Sequence, residues 1–304
     1  MITMKKLLNI ALLSIFALLL SWCFGWDDVY YLEWEDKTIT SKIIKNIDTI
    51  EFMWEEIVID DYNYLRKRLE REFHIIADNT YQYVLWLKRT GLYFPYIEYY
   101  LEQAWLPNDL KYLPIAESFL RHEAYSSAGA AGIWQFMTPT ARQYWLIVDD
   151  NVDERKNYEK STLVAIEYLQ YLKDFFDWDW LLALAGYNKW HNALKSTIEK
   201  QWTDDYFDLL LNTETWRFVP RIMAIKIAYE YREQLGMDLD EDEFYSFPDY
   251  EVIEVESIDS LFRFARENNT SLYDFYQLNP WIKVLRNTLP AREDSVNWKV
   301  KVSS

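Results

Sequence analysis

Cysteine, histidine and glycine are scarce in this chain of 304 residues, and acidic residues outnumber basic ones. The single cysteine excludes a disulfide framework and a cysteine-based zinc site. Three scattered histidines argue against a histidine-rich metal site. With 32 basic against 49 acidic residues and a net charge of −17, little in the chain could replace the counterions of a polyanion. We therefore expect no metal site and no nucleic-acid partner.

Glycine is the most informative absence. Average usage of about 7% predicts roughly 21 glycines in a chain of this length. The sequence has 6 glycines and 15 tryptophans, which together make up that expected number. Half of the residues are apolar and 18% are aromatic, so the chain has ample material for a folded core and wholesale disorder is excluded.

The N-terminus has the pattern of an export signal. Lys5 and Lys6 precede an apolar run of about 14 residues, which is short for a membrane-spanning helix and typical of a signal peptide. The run ends at Cys23, in a sequence that resembles a bacterial lipoprotein signal except for the bulky Trp22. We predict a signal peptide over 1–22 and lipidation of Cys23. An ordinary secretory signal or an N-terminal anchor with an incidental cysteine remains the alternative.

The rest of the sequence is mainly helical in pattern and divides into four segments. Residues 23–59 lack strong periodicity and are predicted to form a tether or a loosely docked arm. Helical periodicity begins near 60, so 60–104 is predicted to be an N-terminal helical part and 105–236 a compact domain. An acidic linker near 237–247 leads to a small unit, 250–302.

The small C-terminal unit has alternating strand and helix patterns. Strands are predicted over 250–255 and 298–302, with helices over 257–267 and 271–278 between them. The order is therefore βααβ.

One glutamate lies in an unusual place for a charged residue. Asn108 or Asp109 can start a helix, on which Leu110, Leu113 and Glu117 share one face. A carboxylate on an apolar face is costly unless it is neutral or partnered, and desolvation raises its pKa toward that of a general acid. The plainer interpretation is a surface or capping glutamate.

Two further stretches combine small and polar residues. The stretch 126–140 begins with a run of small residues over 126–132, followed by Trp134 and Gln135, which could line a groove for a sugar. Tyr187 and Asn188 end an otherwise apolar helix. Core packing and helix capping explain these residues equally well when each stretch is taken alone.

Together the stretches resemble the lysozyme-like lytic transglycosylases of peptidoglycan, in particular the membrane-bound transglycosylase D type. The resemblance covers about 85–232 and is carried by five blocks in order: LPNDLKYLPIAESF, SAGAAGIWQFMTPTA, DERKNYEKST, DWLLALAGYN and ETWRFVPR. The C-terminal unit more weakly resembles a LysM glycan-binding module. The resemblance implies a goose-type, lysozyme-like helical catalytic domain followed by that module.

The resemblance also implies a mechanism with a single catalytic carboxyl, Glu117. As an acid it would protonate the glycosidic oxygen between N-acetylmuramic acid and N-acetylglucosamine, and as a base it would accept the proton of the muramoyl C6 hydroxyl. The product would be a 1,6-anhydro sugar, and no metal or cofactor would be needed. Implied substrate contacts are Ser126, Trp134, Gln135, Tyr187, Asn188 and Phe218, the last where the family usually has a substrate-facing tyrosine.

Two other functions remain open. A hydrolytic muramidase on the same scaffold would need a second carboxylate, and the nearby candidates are Asp149, Asp150, Asp153 and Glu154. We interpret the sequence Asp153-Glu154-Arg155 as a structural salt-bridged turn instead. The third possible function is a catalytically idle scaffold that binds glycan through the C-terminal unit.

For a lytic transglycosylase we expect an exported monomer in the cell envelope, lipid-anchored to a membrane at Cys23, with peptidoglycan strands as its partner.

Five positions where these families have glycine carry tryptophan here: Trp22, Trp105, Trp145, Trp190 and Trp281. We hypothesise that they are glycines in the organism, encoded by a UGA codon that has been translated as tryptophan. The alternative is a tryptophan-rich carbohydrate binder, which does not explain tryptophan at turn positions that favour positive φ. The hypothesis predicts that Trp105, Trp145 and Trp190 are exposed or crowded at loop ends.

Overall fold

A computed structural model describes residues 38–62 and 64–304 of the chain, and helices predominate in it up to residue 230. The helices of this part are α1 Ile39–Lys45, α2 Leu65–Asp78, α3 Thr80–Gln103, α4 Leu113–Ser118, α5 Thr138–Gln143, α6 Tyr158–Phe175, α7 Trp180–Asn188, α8 His191–Gln201 and α9 Thr213–Glu230. A hairpin of β1 Thr49–Phe52 and β2 Glu55–Val58 follows α1.

Helix α9 lies at the centre of the helical layer and packs against α2, α4 and α7. Its N-terminus is capped by Asn212, whose side-chain oxygen accepts a hydrogen bond from the Thr215 N–H at 3.0 Å. Val219, Ile222 and Met223 are completely buried along it. Because α9 touches both the helix of Glu117 and the helix of Tyr187, it sets the distance between these two predicted site residues.

The described part of the segment predicted as a tether or loosely docked arm is packed on the domain and does not hang free as a tether. Helix α1 and the hairpin that follows it pack into the main core, where Ile44 and Phe52 are buried. The Met53 N–H also donates to the Asp109 carboxylate at 2.8 Å. A short helix and a short hairpin follow each other here, so the apolar residues of the segment keep no single period, and only their docking on the domain shows that they belong to the core. Residues 23–37 lie outside the described residues.

The C-terminal unit consists of β3 Tyr250–Val255, α10 Leu261–Glu267, α11 Leu272–Leu278 and β4 Trp298–Ser303. The strands pair antiparallel, with Tyr250 opposite Ser303. Helix α10 begins later than the predicted 257 because Ser260 caps it, accepting a hydrogen bond from the Arg263 N–H at 3.3 Å. The elements follow the predicted order, and the assignment to the LysM family stays a prediction.

The C-terminal unit is joined to the helical domain through one loop. Val152 from that loop is fully buried in the core of the C-terminal unit. Its neighbour Asp153 donates its N–H to the Trp281 carbonyl at 2.8 Å, and Lys283 donates its N–H to the Asn151 carbonyl at 2.8 Å. The two parts therefore share backbone hydrogen bonds and apolar core.

The linker near 237–247 also contacts the domain. The Tyr245 N–H donates to the Lys88 carbonyl on α3 at 2.9 Å, and Phe247 stacks on Tyr158 with ring centroids 5.1 Å apart. Gly91 allows this approach, because a Cβ there would lie only 2.6 Å from the Tyr245 carbonyl oxygen. The acidic composition of the linker did not indicate this docking.

No helix among the described residues is both long and apolar enough to cross a membrane. The predicted signal peptide over 1–22 and the predicted lipidation site Cys23 lie outside the described residues.

Candidate active site

Glu117 lies in the last turn of the short helix α4. Pro114 is in the first turn of this helix, and Phe119, in the left-handed conformation, caps its C-terminus. Leu110 and Leu113 are completely buried, as predicted. The single helix predicted from Asn108 or Asp109 is instead a 3₁₀ turn over Asn108–Tyr112, which contains Leu110, followed by α4 from Leu113. The Glu117 side chain is half-buried, and within the described residues no hydrogen bond or ion pair involves its carboxyl group.

Burial controls the charge of this carboxyl. Desolvation raises the pKa of Glu117 from its usual 4.5 to about 8; the Arg221 guanidinium opposes the rise and the Glu214 carboxylate adds to it. The group is therefore mostly protonated at neutral pH, which is the state that a general acid needs.

Tyr187, in the last turn of α7, faces this carboxyl. Burial raises the pKa of Tyr187, and the negative charge of Glu117 raises it further. Its hydroxyl donates a hydrogen bond to the Trp134 carbonyl at 2.8 Å. The neutral phenol thus connects the acid, the loop that carries Trp134 and helix α7.

The glycine-containing loop between α4 and α5 is fixed against the helix of Glu117. The Ser118 hydroxyl donates to the Ile133 carbonyl at 2.9 Å. Gly132, at φ +81°, allows the loop to pass close to the backbone of Arg155, since a Cβ there would lie 1.9 Å from that carbonyl oxygen. The loop can therefore hold polar groups at constant positions beside the acid.

Two of the predicted substrate contacts lie in this loop. Ser126 closes its turn, because the Ala130 N–H donates to the Ser126 hydroxyl at 2.9 Å. The Gln135 amide donates to the Gly132 carbonyl at 2.8 Å, and its backbone is left-handed with φ 51°. Both side chains are half-buried. Their contact with substrate stays a prediction.

Asn188 joins the two helices that bracket the site. Its side-chain oxygen accepts a hydrogen bond from the Thr215 hydroxyl of α9 at 3.0 Å. The residue is half-buried, so the structure gives it a bridging position between α7 and α9, and a contact with substrate stays a prediction.

Trp134 and Phe218 do not present their rings to a groove, which corrects the prediction for both. Trp134 is 0% exposed, and its indole N–H donates to the Thr162 hydroxyl at 2.9 Å. Phe218 is 1% exposed because it lies on the buried side of α9. A ring without accessible surface cannot stack on a sugar, so both residues belong to the core.

The acidic turn after α5 is engaged in structural contacts, as predicted. Asp153 accepts two hydrogen bonds from the Arg155 guanidinium, each at 2.8 Å. Glu154 pairs with Lys160 and accepts the Ile147 N–H at 2.8 Å. Both carboxylates are buried, and both are engaged in these hydrogen bonds and ion pairs.

The other two candidates for a second carboxylate are at the surface. Asp149 is exposed and accepts hydrogen bonds from the N–H groups of Asn151 and Val152, while Asp150 is exposed beside it. Among residues 38–62 and 64–304, no group of three or more His, Cys, Asp or Glu residues is arranged to hold a metal ion.

Three charged residues of this region were not predicted from the sequence. Glu72 on α2 is almost fully buried and accepts hydrogen bonds from Arg217 and Arg221 at 2.5 and 3.4 Å. Arg221 thus pairs with Glu72 while its charge acts on Glu117, and Glu214 acts on Glu117 with the opposite sign. Glu214 and Arg221 are the first and last residues of the block ETWRFVPR, which was the available signal.

A helical domain with one desolvated carboxyl beside a buried tyrosine is suited to general acid catalysis. Residues 95–209 match the family model described as the transglycosylase SLT domain.

Two curated relatives are the proteins named membrane-bound lytic murein transglycosylase D from Escherichia coli K12 and from Escherichia coli O6:H1. Each is 36% identical over 138 residues, which cover 44% of this chain and 30% of the relative. The chain therefore matches less than a third of the length of these relatives.

Among solved structures, the chain is similar to the 70 kDa soluble lytic transglycosylase of Escherichia coli at 17% identity and TM-score 0.41, covering 58% of this chain and 32% of that one. It is also similar to an inactive mutant of the lytic transglycosylase Slt of Pseudomonas aeruginosa at 19% identity and TM-score 0.35, covering 48% and 25%.

Proposed function

We propose that this protein is a lytic transglycosylase that cleaves the β-1,4 bond between N-acetylmuramic acid and N-acetylglucosamine in peptidoglycan without using water. The observation that carries the proposal is Glu117, a desolvated carboxyl with a pKa of about 8 inside a segment that matches the transglycosylase SLT domain.

In the first step the protonated Glu117 donates its proton to the glycosidic oxygen, and the bond from that oxygen to C1 of the muramoyl residue breaks. The sugar passes through an oxocarbenium-like state. Burial of Glu117 favours this step because it keeps the carboxyl protonated. The proton that Glu117 gives to the glycosidic oxygen lets the leaving sugar depart as a neutral alcohol.

In the second step the Glu117 carboxylate accepts the proton of the muramoyl C6 hydroxyl, whose oxygen then bonds to C1. The 1,6-anhydro product forms, and Glu117 is again protonated for the next cycle. One carboxyl therefore serves both steps. Tyr187, whose neutral hydroxyl lies beside Glu117, helps to keep this pocket free of a competing negative charge.

Mass spectrometry of peptidoglycan digested by the purified protein tests this proposal. We expect anhydro-muropeptides from the wild-type chain and none from Glu117→Gln, which keeps the size of the side chain but cannot transfer a proton. Retained glycan binding without any product from the wild type would favour the idle scaffold instead.

A hydrolytic muramidase is the second candidate, and the presence of a second carboxylate, Glu214, near Glu117 favours it. This carboxylate is close enough to Glu117 to raise its pKa, whereas none of Asp149, Asp150, Asp153 and Glu154 acts on Glu117. Digestion in ¹⁸O-water separates the two reactions. Incorporation of the label into new reducing ends would identify the hydrolase, and unlabelled anhydro ends would identify the transglycosylase.

We also propose that the protein acts in the cell envelope, anchored by lipid on Cys23, and that the C-terminal unit binds glycan in the manner of a LysM module. The signal-like sequence of 1–22 supports the first part, and the membrane-bound name of the two relatives is consistent with it. Metabolic labelling with a fatty acid tests the anchor, with Cys23→Ser expected to abolish the label.

A further inference from the structure

Tryptophan occupies a backbone conformation in this protein that bulky residues rarely adopt. Of the twelve tryptophans among the described residues, five have φ between 54° and 74°, in the left-handed region. They are Trp54, Trp105, Trp145, Trp178 and Trp202. For a residue with a Cβ this region is strained, and for a bulky side chain it is an outlier, whereas glycine enters it freely.

Two of the five end helices in the way that glycine does. At Trp105 the next N–H donates to the Leu101 carbonyl at 3.0 Å, and at Trp145 the next N–H donates to the Ala141 carbonyl at 2.9 Å. This bond, which spans six residues around a left-handed one, is the signature of the Schellman motif, whose left-handed position is usually glycine.

Trp178 and Trp202 also stand at helix ends. The Trp178 N–H donates to the Lys173 carbonyl at 2.8 Å after the end of α6, and the Trp202 N–H donates to the Ile198 carbonyl at 2.9 Å after the end of α8. Both bonds satisfy terminal carbonyls of a helix. After α8 the chain reverses at Trp202 itself, whereas after α6 it reverses over two left-handed residues, Asp177 at φ 53° and Trp178 at φ 74°.

Trp54 belongs to a different structure with the same requirement. Met53 and Trp54, at φ 54° and 68°, form the two-residue loop between β1 and β2. Two positive φ values in such a loop define a type I′ turn, in which glycine is preferred at the second position. Five separate chain reversals thus carry tryptophan where glycine is the favoured residue.

Burial does not compensate for the strain at these positions. The five side chains are between 60% and 93% exposed, so their indoles bury little apolar surface. By contrast, Trp86, Trp134, Trp180 and Trp298 are buried and have no positive φ. The described tryptophans therefore include one group that packs in the core and one group that occupies glycine positions.

We propose that glycine occupies positions 54, 105, 145, 178 and 202 in the protein as the organism makes it, because its UGA codons are read as glycine. Of the positions suggested by sequence, the structure supports 105 and 145. Trp190 is exposed as predicted but has φ −45°, and Trp281 is buried and stacks on Trp298 at 5.4 Å. Neither belongs to the proposed set, and Trp22 lies outside the described residues.

The alternative of tryptophan platforms for sugar stacking does not account for this distribution. A platform needs an exposed ring, which any surface position provides without backbone strain. It gives no reason for the rings to stand at left-handed positions that end helices or close a hairpin. The glycine assignment explains exposure and φ together, since a residue without a side chain leaves the space around it to solvent.

The codons and the native peptides test the proposal directly. We expect TGA at the five positions and TGG at 86, 134, 180 and 298, which serve as matched controls. Tandem mass spectrometry of peptides from the native protein should then give glycine at the five positions and tryptophan at the four controls. TGG codons with tryptophan at 105 and 145 would overturn the proposal.

A recombinant pair provides an independent physical test. The chain with glycine at all five positions should unfold at a temperature roughly 10 °C or more above that of the chain with tryptophan at these positions, since backbone strain is relieved at each site. As a control, Trp86→Gly should lower the unfolding temperature, because Trp86 is fully buried. An unchanged or lower midpoint for the five-glycine chain would contradict the proposal.

Discussion

Glu117 shows how the surroundings of one residue change its pKa. Desolvation raises its pKa more strongly than the Arg221 guanidinium lowers it, and Glu214 adds to the rise. The neighbouring Tyr187 is neutral and hydrogen-bonded away from the acid, to the Trp134 carbonyl. The net result is an acid that keeps its proton at the pH where a typical glutamate has lost it.

The pH dependence of activity should follow the titration of Glu117. Because the proposed acid must be protonated, kcat/KM on soluble peptidoglycan fragments should decline as pH rises through about 8. Glu214→Gln should move this decline to lower pH, and Arg221→Gln should move it to higher pH. A profile that is unaffected by both substitutions would contradict the assignment.

The same titration should appear in stability. Since the folded pKa of Glu117 lies above the unfolded value, ionisation disfavours the folded state, and its stabilising contribution is lost as pH rises from 4.5 through about 8. Glu117→Gln, which never ionises, should therefore raise Tm more at pH 9 than at pH 5. Equal shifts at both pH values would contradict the proposed burial, and Glu102→Gln, on a surface position, is the control.

At the scale of elements, the loop beside Glu117 depends on Arg155. Its buried guanidinium donates to Asp153 twice, to the Gly129 carbonyl at 2.7 Å and to the Phe136 carbonyl at 3.0 Å. One side chain thus connects the acidic turn with two points of the loop that contains Gln135. The planar fork of arginine is needed for this set of bonds.

Arg155→Lys should lower the free energy of unfolding by at least about 2 kcal/mol, because lysine keeps the charge but cannot reach all of the carbonyl and carboxylate partners. Urea denaturation measures the loss. The exposed Arg142, which donates to the Val148 carbonyl, is the matched control, and Arg142→Lys should change the free energy by no more than about 0.5 kcal/mol. Equal changes in the free energy of unfolding for the two variants would show that the hydrogen bonds of Arg155 contribute no more to stability than those of Arg142.

Gly132 is the second element-scale test. Gly132→Ala introduces a Cβ 1.9 Å from the Arg155 carbonyl oxygen at φ +81°, so the loop must move, and a loss of about 3 kcal/mol or more is expected. Gly236→Ala has φ +73° and no atom within 4 Å, so it should cost only about 1 kcal/mol. Thermal unfolding of both variants separates the steric conflict at Gly132 from the backbone strain that both positions share. Similar losses of stability would contradict the close approach of Gly132 to the Arg155 backbone.

At the scale of the whole molecule, the C-terminal unit is connected to the helical domain by core packing. Val152 lies in the apolar core of the C-terminal unit, and the Lys301 ammonium pairs with Glu159 of α6 at 2.8 Å. A module attached only by a flexible linker would show neither contact. We therefore expect the two parts to unfold together.

Val152→Asp should divide the single unfolding transition into two, because it places a charge in the shared core. Calorimetry would reveal the second transition. Val252→Asp, at a half-exposed position of β3, is the control that should leave one transition. A single, unshifted transition for Val152→Asp would mean that the contact contributes little to cooperativity.

Much of the local structure was predictable from sequence because it depends on neighbours along the chain. The spacing of Leu110, Leu113 and Glu117 predicted a carboxyl on an apolar face, and the acidic turn around Arg155 was predicted as a salt bridge. The strand and helix order of the C-terminal unit follows the same logic, since periodicity and caps are local.

The sequence by itself determined the order of elements in the C-terminal unit, the glycine deficit and, through its resemblance to a family, the choice of Glu117 as the candidate acid. Only the tertiary structure decided that Trp134 and Phe218 are core, that the segment after residue 38 is docked, and that Arg221 and Glu214 shift the pKa of Glu117 in opposite directions. The physical reason is that burial and electrostatic coupling depend on residues far apart in the chain, and neither leaves a period in the sequence.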